Sequence, residues 1–266
     1  MIDRDAVFIL GAQDPEMREI ERVLRRDGRA VVHAAHAARR ATPRTAYAAD
    51  AVLRSGQRGR PEAAVLLPNA PTVFVECSVP GWTPHGRIDH HNPGDAGFDK
   101  GPEAYLAGSS LGQTLALLDL EPDATQRLLA AADHCLTAAY QGECPGVDPR
   151  ELLFLRASWQ AKMSGRSLGD VIAGILAAAA LIERHYDSAS GEARFPDPTL
   201  SPTDLAEGAA YTGKPVRYRQ LFPGGELKVM LKGATPGHIT RFMDEQRALG
   251  REVYGNPWRG YAGAYC

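Results

Sequence analysis

The chain has 266 residues, of which 44% are hydrophobic and 23% are charged, as is usual for a globular protein. The formal net charge of −2 argues against a strong electrostatic field for long nucleic acid or for an anionic membrane surface. The length is enough for one large domain or two modest ones. Acids stand among the apolar positions of the first fifteen residues, so the sequence predicts no signal peptide.

The predicted elements of the first 150 residues are short apolar strands and amphipathic helices. AVFILGA (6–12) predicts a strand, and the next helix has Asp14 as its N-cap, Pro15 as its first residue and Gly28 as its stop. Residues 39–61 predict a loop that contains a weak helix. Further strands are predicted at 29–35, 62–68, 72–78 and the end of GRIDHH (86–91). This alternation predicts an α/β fold with a mostly parallel sheet.

The later part of the chain predicts helices and then a smaller mixed lobe. AYLAGSSLGQTLALLDL, DATQRLLAAADHCLTAAYQG and the stretch from about 150 to 187 predict helices. The Pro-, Ser- and Gly-containing stretch 188–202 predicts a linker, and a helix–strand–strand–helix–strand pattern follows. We therefore expect an N-terminal domain at 1–150, a helical connector and linker at 151–202, and a smaller α+β lobe at 203–266.

The cysteines and the longest apolar run both bear on the cellular compartment. Cys77, Cys135, Cys144 and Cys266 have no CxxC pairing, which fits a reducing cytoplasm better than a disulfide framework or a zinc ribbon. The run VIAGILAAAALI (171–182) has about half of the length that a bilayer requires. We expect a cytoplasmic protein, no membrane partner, and a buried helix at this run.

Acidic side chains follow the predicted strands, and ligands in an open α/β sheet gather at the carboxyl ends of strands. Hard divalent ions such as Mn²⁺ take carboxylate oxygen together with imidazole nitrogen. The candidate groups are Asp14, Glu16, Glu76, Asp89, His90, His91 and Asp133. Each also has a simpler interpretation: a helix N-cap for Asp14, a solvated strand edge for Glu76, an exposed helix position for Asp133, and a surface turn for the Asp-His-His tripeptide.

Several blocks in order resemble the DHH phosphoesterases, a family named for the tripeptide at 89–91. QDPE is similar to the family's acid-x-acid element, TVFVECS to its strand that ends in an acid, and RIDHHNPG to its Asp-His-His strand end. Downstream, AGSSLGQTLALL is similar to the family's Gly-Ser-Ser helix start, and AAADHC to its Ala-Asp pair. The resemblance covers roughly the first 140 residues and implies a DHH-like N-terminal domain.

The resemblance implies metal-dependent hydrolysis of a phosphate ester or anhydride. One or two divalent ions, with Mn²⁺ the expected metal, would lower the pKa of a water and clamp phosphoryl oxygens. The implied metal ligands are Asp14, Glu16, Glu76, His90 and Asp133. Asp89 would orient an imidazole, and His91 would contact the scissile phosphate or protonate the leaving group.

The resemblance also implies where the substrate binds. Backbone N–H groups at the helix that starts at Ser109 and Ser110 would hold a phosphate oxygen. Arg217 and Lys228 of the small lobe are further candidates for substrate contacts, although a solvated basic edge is the simpler interpretation of both. The expected partner is a small phosphorylated, nucleotide-like molecule and not long nucleic acid; an oligomer is compatible with the sequence.

The sequence departs from the family pattern in its first blocks. Leu10 stands where the family has a histidine, and Glu16 and Glu76 replace aspartates. His85 or His134 are candidates for the missing imidazole. Two alternatives therefore stay open: a catalytically degenerate DHH-like module that binds nucleotides or regulates, and an interaction protein in which the tripeptide is accidental.

Overall fold

The computed structural model describes residues 4–55, 61–63, 71–196, 201–221 and 225–266. The chain divides into two compact units. The first runs to Cys135 and takes in Cys144–Val147, and the second comprises Leu136–Glu143 and Asp148–Cys266. Each unit contains its own sheet. The predicted mixed α/β fold is thereby confirmed at the level of secondary structure.

The sheet of the first unit has a parallel centre and antiparallel additions at one side. Its strands are β1 (Val7–Leu10), β2 (Ala30–His36), β3 (Arg39–Arg40), β4 (Ala51–Ser55), β5 (Pro61–Ala63), β6 (Thr72–Val75) and β7 (Gly86–Ile88). The order is β5-β4-β2-β1-β6-β7, with β3 paired to β2. The four strands β2, β1, β6 and β7 run parallel, so their carboxyl ends share one edge. Most of the predicted strand at 62–68 lies outside the described residues.

The central strands are buried on both faces, and residues of the helices of this unit pack on one of them. The helices are α1 (Pro15–Arg26), α2 (Tyr105–Gly108), α3 (Ser110–Leu117) and α4 (Ala124–His134). Phe8 and Leu10 of β1 belong to the same apolar cluster as Leu111 of α3, whereas Ile9 and Phe74 belong to a cluster on the opposite face. Because side chains alternate along a strand, this two-sided burial explains the continuous apolar run of β1.

Helix α1 begins and ends as the sequence predicts. The carboxylate of Asp14 accepts a hydrogen bond from the N–H of Met17 at 2.7 Å, and Pro15 occupies the first helical position. Gly28, just beyond the helix, has a φ of +77°, a conformation that glycine adopts at low cost. The cap holds the start of α1 at the carboxyl edge of the sheet, directly after β1.

The second unit contains a mostly antiparallel sheet and five helices among its described residues. The helices are α5 (Leu136–Tyr140), α6 (Pro149–Ser164), α7 (Leu168–His185), α8 (Pro202–Thr212) and α9 (Pro236–Ala248). The strands are β8 (Tyr186–Asp187), β9 (Glu192–Phe195), β10 (Val216–Leu221), β11 (Leu227–Lys232), β12 (Val253–Asn256) and β13 (Tyr261–Tyr265). They follow the order β12-β13-β11-β10-β9-β8, in which β9 and β10 are parallel.

The division of the chain differs from the expected one, because the stretch expected as connector and linker belongs to the second unit. Ala178 and Ile182 of α7 pack in one apolar cluster with Val216 of β10 and Met230 of β11. Strand β9 lies inside the expected linker and pairs with β10. The Pro, Ser and Gly content of 188–202 gave no sign of this pairing, since the partner strand is some twenty residues further along the chain. Residues 197–200 of that stretch lie outside the described residues.

Among the described helices, none is by itself both long enough and apolar enough to cross a bilayer. Helices α6 and α7 reach that length and apolarity only as a pair, and the pair is bent by 115°.

Candidate metal centre

Four of the side chains predicted as metal ligands converge at the carboxyl edge of the parallel strands. Glu76 directly follows β6, His90 lies two residues beyond β7, Glu16 is in the first turn of α1, and Asp133 is near the end of α4. One ligand atom from each of these residues lies within 4.8 Å of the others. We call Glu16, Glu76, His90 and Asp133 the acidic cluster. It assembles groups from four separate elements of the first unit.

His90 lies at the centre of the acidic cluster. Its Nε2 is 3.2 Å from Oε1 of Glu76 and 3.0 Å from Oδ2 of Asp133, and its imidazole is only 4% exposed. Burial lowers the pKa of His90, but the carboxylates of Asp133 and Glu76 outweigh burial and raise that pKa to about 9. The same nitrogen that faces the two carboxylates is the one that a metal ion at this position would use.

Glu16 is the most enclosed acid of the cluster. Its Oε1 accepts a hydrogen bond of 2.9 Å from the N–H of Leu111 in the first turn of α3. Burial raises the pKa of Glu16 well above its usual value, and the charges of Asp133 and Glu76 add to that rise. A cation among these acids would reverse the effect, because an opposite charge favours the ionised carboxyl group.

The chemistry of the donor set fits a divalent metal. The buried Oε2 of Glu16 makes no hydrogen bond, and the buried Oε1 of Glu76 and Nε2 of His90 face each other at 3.2 Å without the geometry of a hydrogen bond. Buried charged groups are normally paired or bound to a metal, since leaving them without compensation is costly. Three carboxylates and one imidazole are ligands that hard and borderline divalent ions accept. The acidic cluster can therefore bind such an ion.

The backbone at Glu76 adopts a conformation that L-residues rarely occupy. Its φ is +49°, and its N–H donates to the carbonyl of Ile88 at 3.0 Å. Gly11, at the end of the neighbouring β1, approaches so closely that a Cβ there would overlap the carbonyl oxygen of Glu76. Such left-handed residues cost of order 1–3 kcal/mol and concentrate at functional sites. The turn directs the carboxylate of Glu76 toward His90.

Gly11→Ala is expected to displace Glu76 and weaken metal binding. The added methyl group overlaps backbone, which has little freedom to move, so we also expect a loss of about 1–3 kcal/mol in the free energy of unfolding. Calorimetric titration with Mn²⁺ and chemical denaturation measure the two effects. Gly237→Ala is the matched control, because a Cβ at Gly237 meets open space. Equal metal affinity in the two variants would contradict the proposed role of Gly11.

Asp89 organises the turn that follows β7 and is fully buried. Its Oδ1 accepts from the N–H of His90 at 2.8 Å and from the N–H of His91 at 3.1 Å, and it lies 3.0 Å from Nδ1 of His91. The hydroxyl of Tyr47 donates to the same oxygen at 2.9 Å. Burial opposes the charge of Asp89, yet His91 and Tyr47 lower the pKa of Asp89 below its usual value. The imidazole that Asp89 orients is that of His91.

The imidazole rings of His90 and His91 lie next to each other. Their rings are 4.5 Å apart at their centres and nearly perpendicular, and His91 is 18% exposed against 4% for His90. His91 also forms a second group of possible ligands with Glu76 and His90. Strand β7 ends at Ile88, before the tripeptide, so the alternation of side chains along a strand does not separate the two rings.

Three further predicted residues have other partners. Asp14 caps α1 and belongs to neither group of possible metal ligands found among the described residues. Ser109 is the N-cap of α3, where its hydroxyl accepts from the N–H of Gly112 at 2.9 Å, and Ser110 is equally buried. One backbone N–H of this helix start is used by Glu16. A phosphate contact at Ser109 or Ser110 stays a prediction.

Arg217 and Lys228 of the second unit both contact acids or aromatic rings of that unit. Nε of Arg217 is 2.8 Å from Oε1 of the buried Glu192. Nζ of Lys228 is 4.1 Å from the ring centre of Tyr265 and 3.6 Å from Oε2 of Glu226, and the residue is only 4% exposed. Their proposed role in substrate binding stays a prediction.

The histidines considered as replacements for the missing imidazole do not join the acidic cluster. His85 precedes β7 at the opposite edge of the sheet, where its Nδ1 accepts from the N–H of Thr72 at 3.3 Å. His134 contacts His90 instead, with 3.0 Å between the two Nδ1 atoms. Tyr47 is a site residue that sequence reasoning missed, since it lies in a weak helix 42 positions before Asp89.

Comparison with known proteins does not extend the resemblance. No protein-family model matches the chain, and no curated protein matches it either. The similarity to the DHH phosphoesterases therefore rests on the sequence blocks, and family membership stays a prediction.

Proposed function

We propose that the protein is a metal-dependent phosphoesterase that hydrolyses a phosphate ester or anhydride of a small, nucleotide-like substrate. The observation that carries the proposal is the acidic cluster, which lies beside a histidine held by a buried aspartate. The blocks that resemble the DHH family point to the same chemistry. The small net charge of −2 favours a small substrate over a long polyanion.

The acidic cluster would hold the metal, for which we propose Mn²⁺. Glu16, Glu76 and Asp133 supply carboxylate oxygen, and His90 supplies Nε2. When bound, such an ion lowers the pKa of a coordinated water and stabilises charge that develops on phosphoryl oxygens. The low exposure of Glu16, Glu76 and the His90 imidazole keeps bulk water from weakening these electrostatic interactions.

His91 is the proposed acid that protonates the leaving group. Asp89 accepts at Oδ1 from Nδ1 of His91, so the proton to be transferred is on Nε2. The Tyr47 hydroxyl shares the same carboxylate, which fixes Asp89 from a second side. Asp89 and Tyr47 thus orient the ring, while the 18% exposure of His91 leaves it within reach of a substrate.

A second candidate function is a DHH-like module that binds nucleotides or regulates without catalysis. One observation favours it: Asp14 and Leu10, at two positions of the altered first block, add no ligand to the acidic cluster. A site with fewer ligands binds one ion more readily than two, and two-metal catalysis requires two bound ions.

Metal analysis combined with a substrate screen separates these functions. The purified protein is stripped with EDTA, reloaded with Mn²⁺, and assayed against phosphomonoesters, pyrophosphate and dinucleotides for released phosphate or nucleotide. We expect bound Mn²⁺ and turnover that disappears with EDTA and returns with Mn²⁺. Nucleotide binding without turnover of any compound would support the module. Failure to retain Mn²⁺, Fe²⁺ or Co²⁺ would overturn the proposed phosphoesterase.

A further inference from the structure

His134 links the acidic cluster to the backbone. It is the last residue of α4 and follows Asp133 directly. Its Nδ1 is 3.0 Å from Nδ1 of His90, and its Nε2 is 2.9 Å from the carbonyl oxygen of Lys100. A series of hydrogen bonds therefore runs from Lys100 through His134 to His90. It ends at Nε2 of His90, which faces Glu76 and Asp133.

The carbonyl of Lys100 determines which ring nitrogens carry the protons in this series of hydrogen bonds. A carbonyl oxygen only accepts, so Nε2 of His134 must be the donor. In a neutral imidazole the other nitrogen is then an acceptor, and Nδ1 of His90 must donate to it. When His90 is neutral, this leaves its Nε2 with a lone pair on the side of the acidic cluster, where a metal ion would accept it. Without the ion, the two carboxylates favour a second proton on that nitrogen.

We infer that His134 is a positioning residue that fixes the tautomer of His90, so that Nε2 of His90 is available as a metal ligand. The inference rests on the proposed function only because it requires a bound metal ion. It does not require that the protein hydrolyses a phosphate. A histidine that binds a metal commonly donates its other N–H to a neighbouring group, and loss of that partner weakens metal binding. Here the partner is a second imidazole, itself oriented by a backbone carbonyl.

Two glycines make room for the pair of rings. A Cβ at Gly108 would overlap the ring of His134, and a Cβ at Gly97 would overlap both the carbonyl of Gly108 and Cβ of His90. The ring centres of His90 and His134 are 5.2 Å apart with a tilt of 40° between the planes. Backbone thus encloses the pair on one side, which limits the rotation of either ring.

One other arrangement of protons satisfies the same distances. If His134 carried protons on both nitrogens, it would donate to both neighbours, and Nδ1 of His90 would accept. The proton of His90 would then be on Nε2, hydrogen-bonded to the acidic cluster, and His90 would not be a metal ligand. The two arrangements differ at identifiable atoms, namely the Nδ1 atoms of His90 and His134.

Nitrogen-15 NMR of the histidine rings distinguishes the arrangements directly. The spectra are recorded on the full chain, once stripped of metal and once loaded with the diamagnetic ion Zn²⁺. We expect Nδ1 of His90 to carry a proton and Nδ1 of His134 to lack one in both samples. A protonated Nδ1 on His134 would overturn the inference, whatever the activity of the protein.

Variants of His134 test the consequence for metal affinity. His134→Leu removes the acceptor, and we expect Mn²⁺ to bind about ten- to a hundredfold more weakly by calorimetric titration. His134→Asn keeps a side-chain carbonyl that accepts from His90, and most of the affinity is expected to return. His85→Leu is the control, since His85 lies at the other edge of the sheet.

Wild-type affinity in His134→Leu, or equal loss in the leucine and asparagine variants, would overturn the inference. Should the leucine variant fail to fold, the NMR assignment on the wild-type chain still decides. Substrate turnover is measured separately, so the two proposals fail separately. The expected ring protons without hydrolysis of any phosphorylated compound would remove the phosphoesterase and keep the role of His134.

Discussion

His90→Ala is expected to abolish tight Mn²⁺ binding and to lower phosphoester hydrolysis about a thousandfold, since a catalytic metal supplies several kcal/mol to the transition state. The variant removes the only nitrogen ligand of the acidic cluster. It also leaves three carboxylates within 4.8 Å of each other with no imidazole between them. The loss of the nitrogen ligand lowers metal occupancy at neutral pH, which elemental analysis after EDTA treatment and reloading measures.

The control for this variant is His85→Ala. Both histidines flank β7, but His85 precedes the strand and His90 follows it. The two variants therefore remove the same side chain from opposite ends of the strand. The control is expected to keep its metal and its turnover. Full metal occupancy in His90→Ala would show that the imidazole is not a ligand and would remove the acidic cluster as the metal site.

His91→Ala is expected to retain the metal and to lose turnover by about a hundred- to ten-thousandfold, the usual contribution of a general acid. The reason is geometric: Asp89 holds Nδ1 of His91 at 3.0 Å, so the ring presents Nε2 away from the aspartate. Parallel measurement of Mn²⁺ content and kcat separates this outcome from that of His90→Ala. The proposed roles of the two histidines predict loss of metal in His90→Ala and loss of turnover with the metal retained in His91→Ala.

Tyr47→Phe accompanies this experiment as a milder variant. It removes one donor to Asp89 and leaves His91 itself in place, so we expect a smaller loss of kcat than in His91→Ala. Unchanged metal content and unchanged turnover in both histidine variants would mean that the Asp-His-His tripeptide is a polar turn. The assignment to DHH-like chemistry would then be abandoned.

Local patterns in the sequence predicted the frame of the metal site well. β1, α1, β6 and β7 were expected from apolar runs, from a cap and from their boundaries, and these elements are present. Parallel strands bring their carboxyl ends to one edge, so acids at the ends of separate strands predict their own proximity. Glu76 and His90 illustrate this. They are not neighbours in the sequence, and no compositional pattern links them, yet their side chains are 3.2 Å apart.

Features that depend on distant contacts were missed or placed differently. The left-handed turn at Glu76 requires the approach of Gly11, and the partner of Asp89 is a tyrosine from the short 3-10 helix Ala46–Ala48. Sequence reasoning considered His134 only as a replacement ligand, because the carbonyl of Lys100 carries no signature in the sequence. Strand β13 was not predicted either, since its alanine- and glycine-containing sequence pairs with β11 only in the assembled sheet.

The passage of the chain between its two units sets a limit on how the protein can be dissected or recombined. A gene fragment ending at Cys135 lacks Cys144, whose sulfur is 3.1 Å from that of Cys135 in the same unit. A fragment ending at Val147 retains α5 of the second unit, and with it Tyr140, whose hydroxyl donates at 2.7 Å to Glu207 of that same second unit. Neither unit is one uninterrupted stretch of codons. A single genetic crossover therefore cannot exchange one of them cleanly.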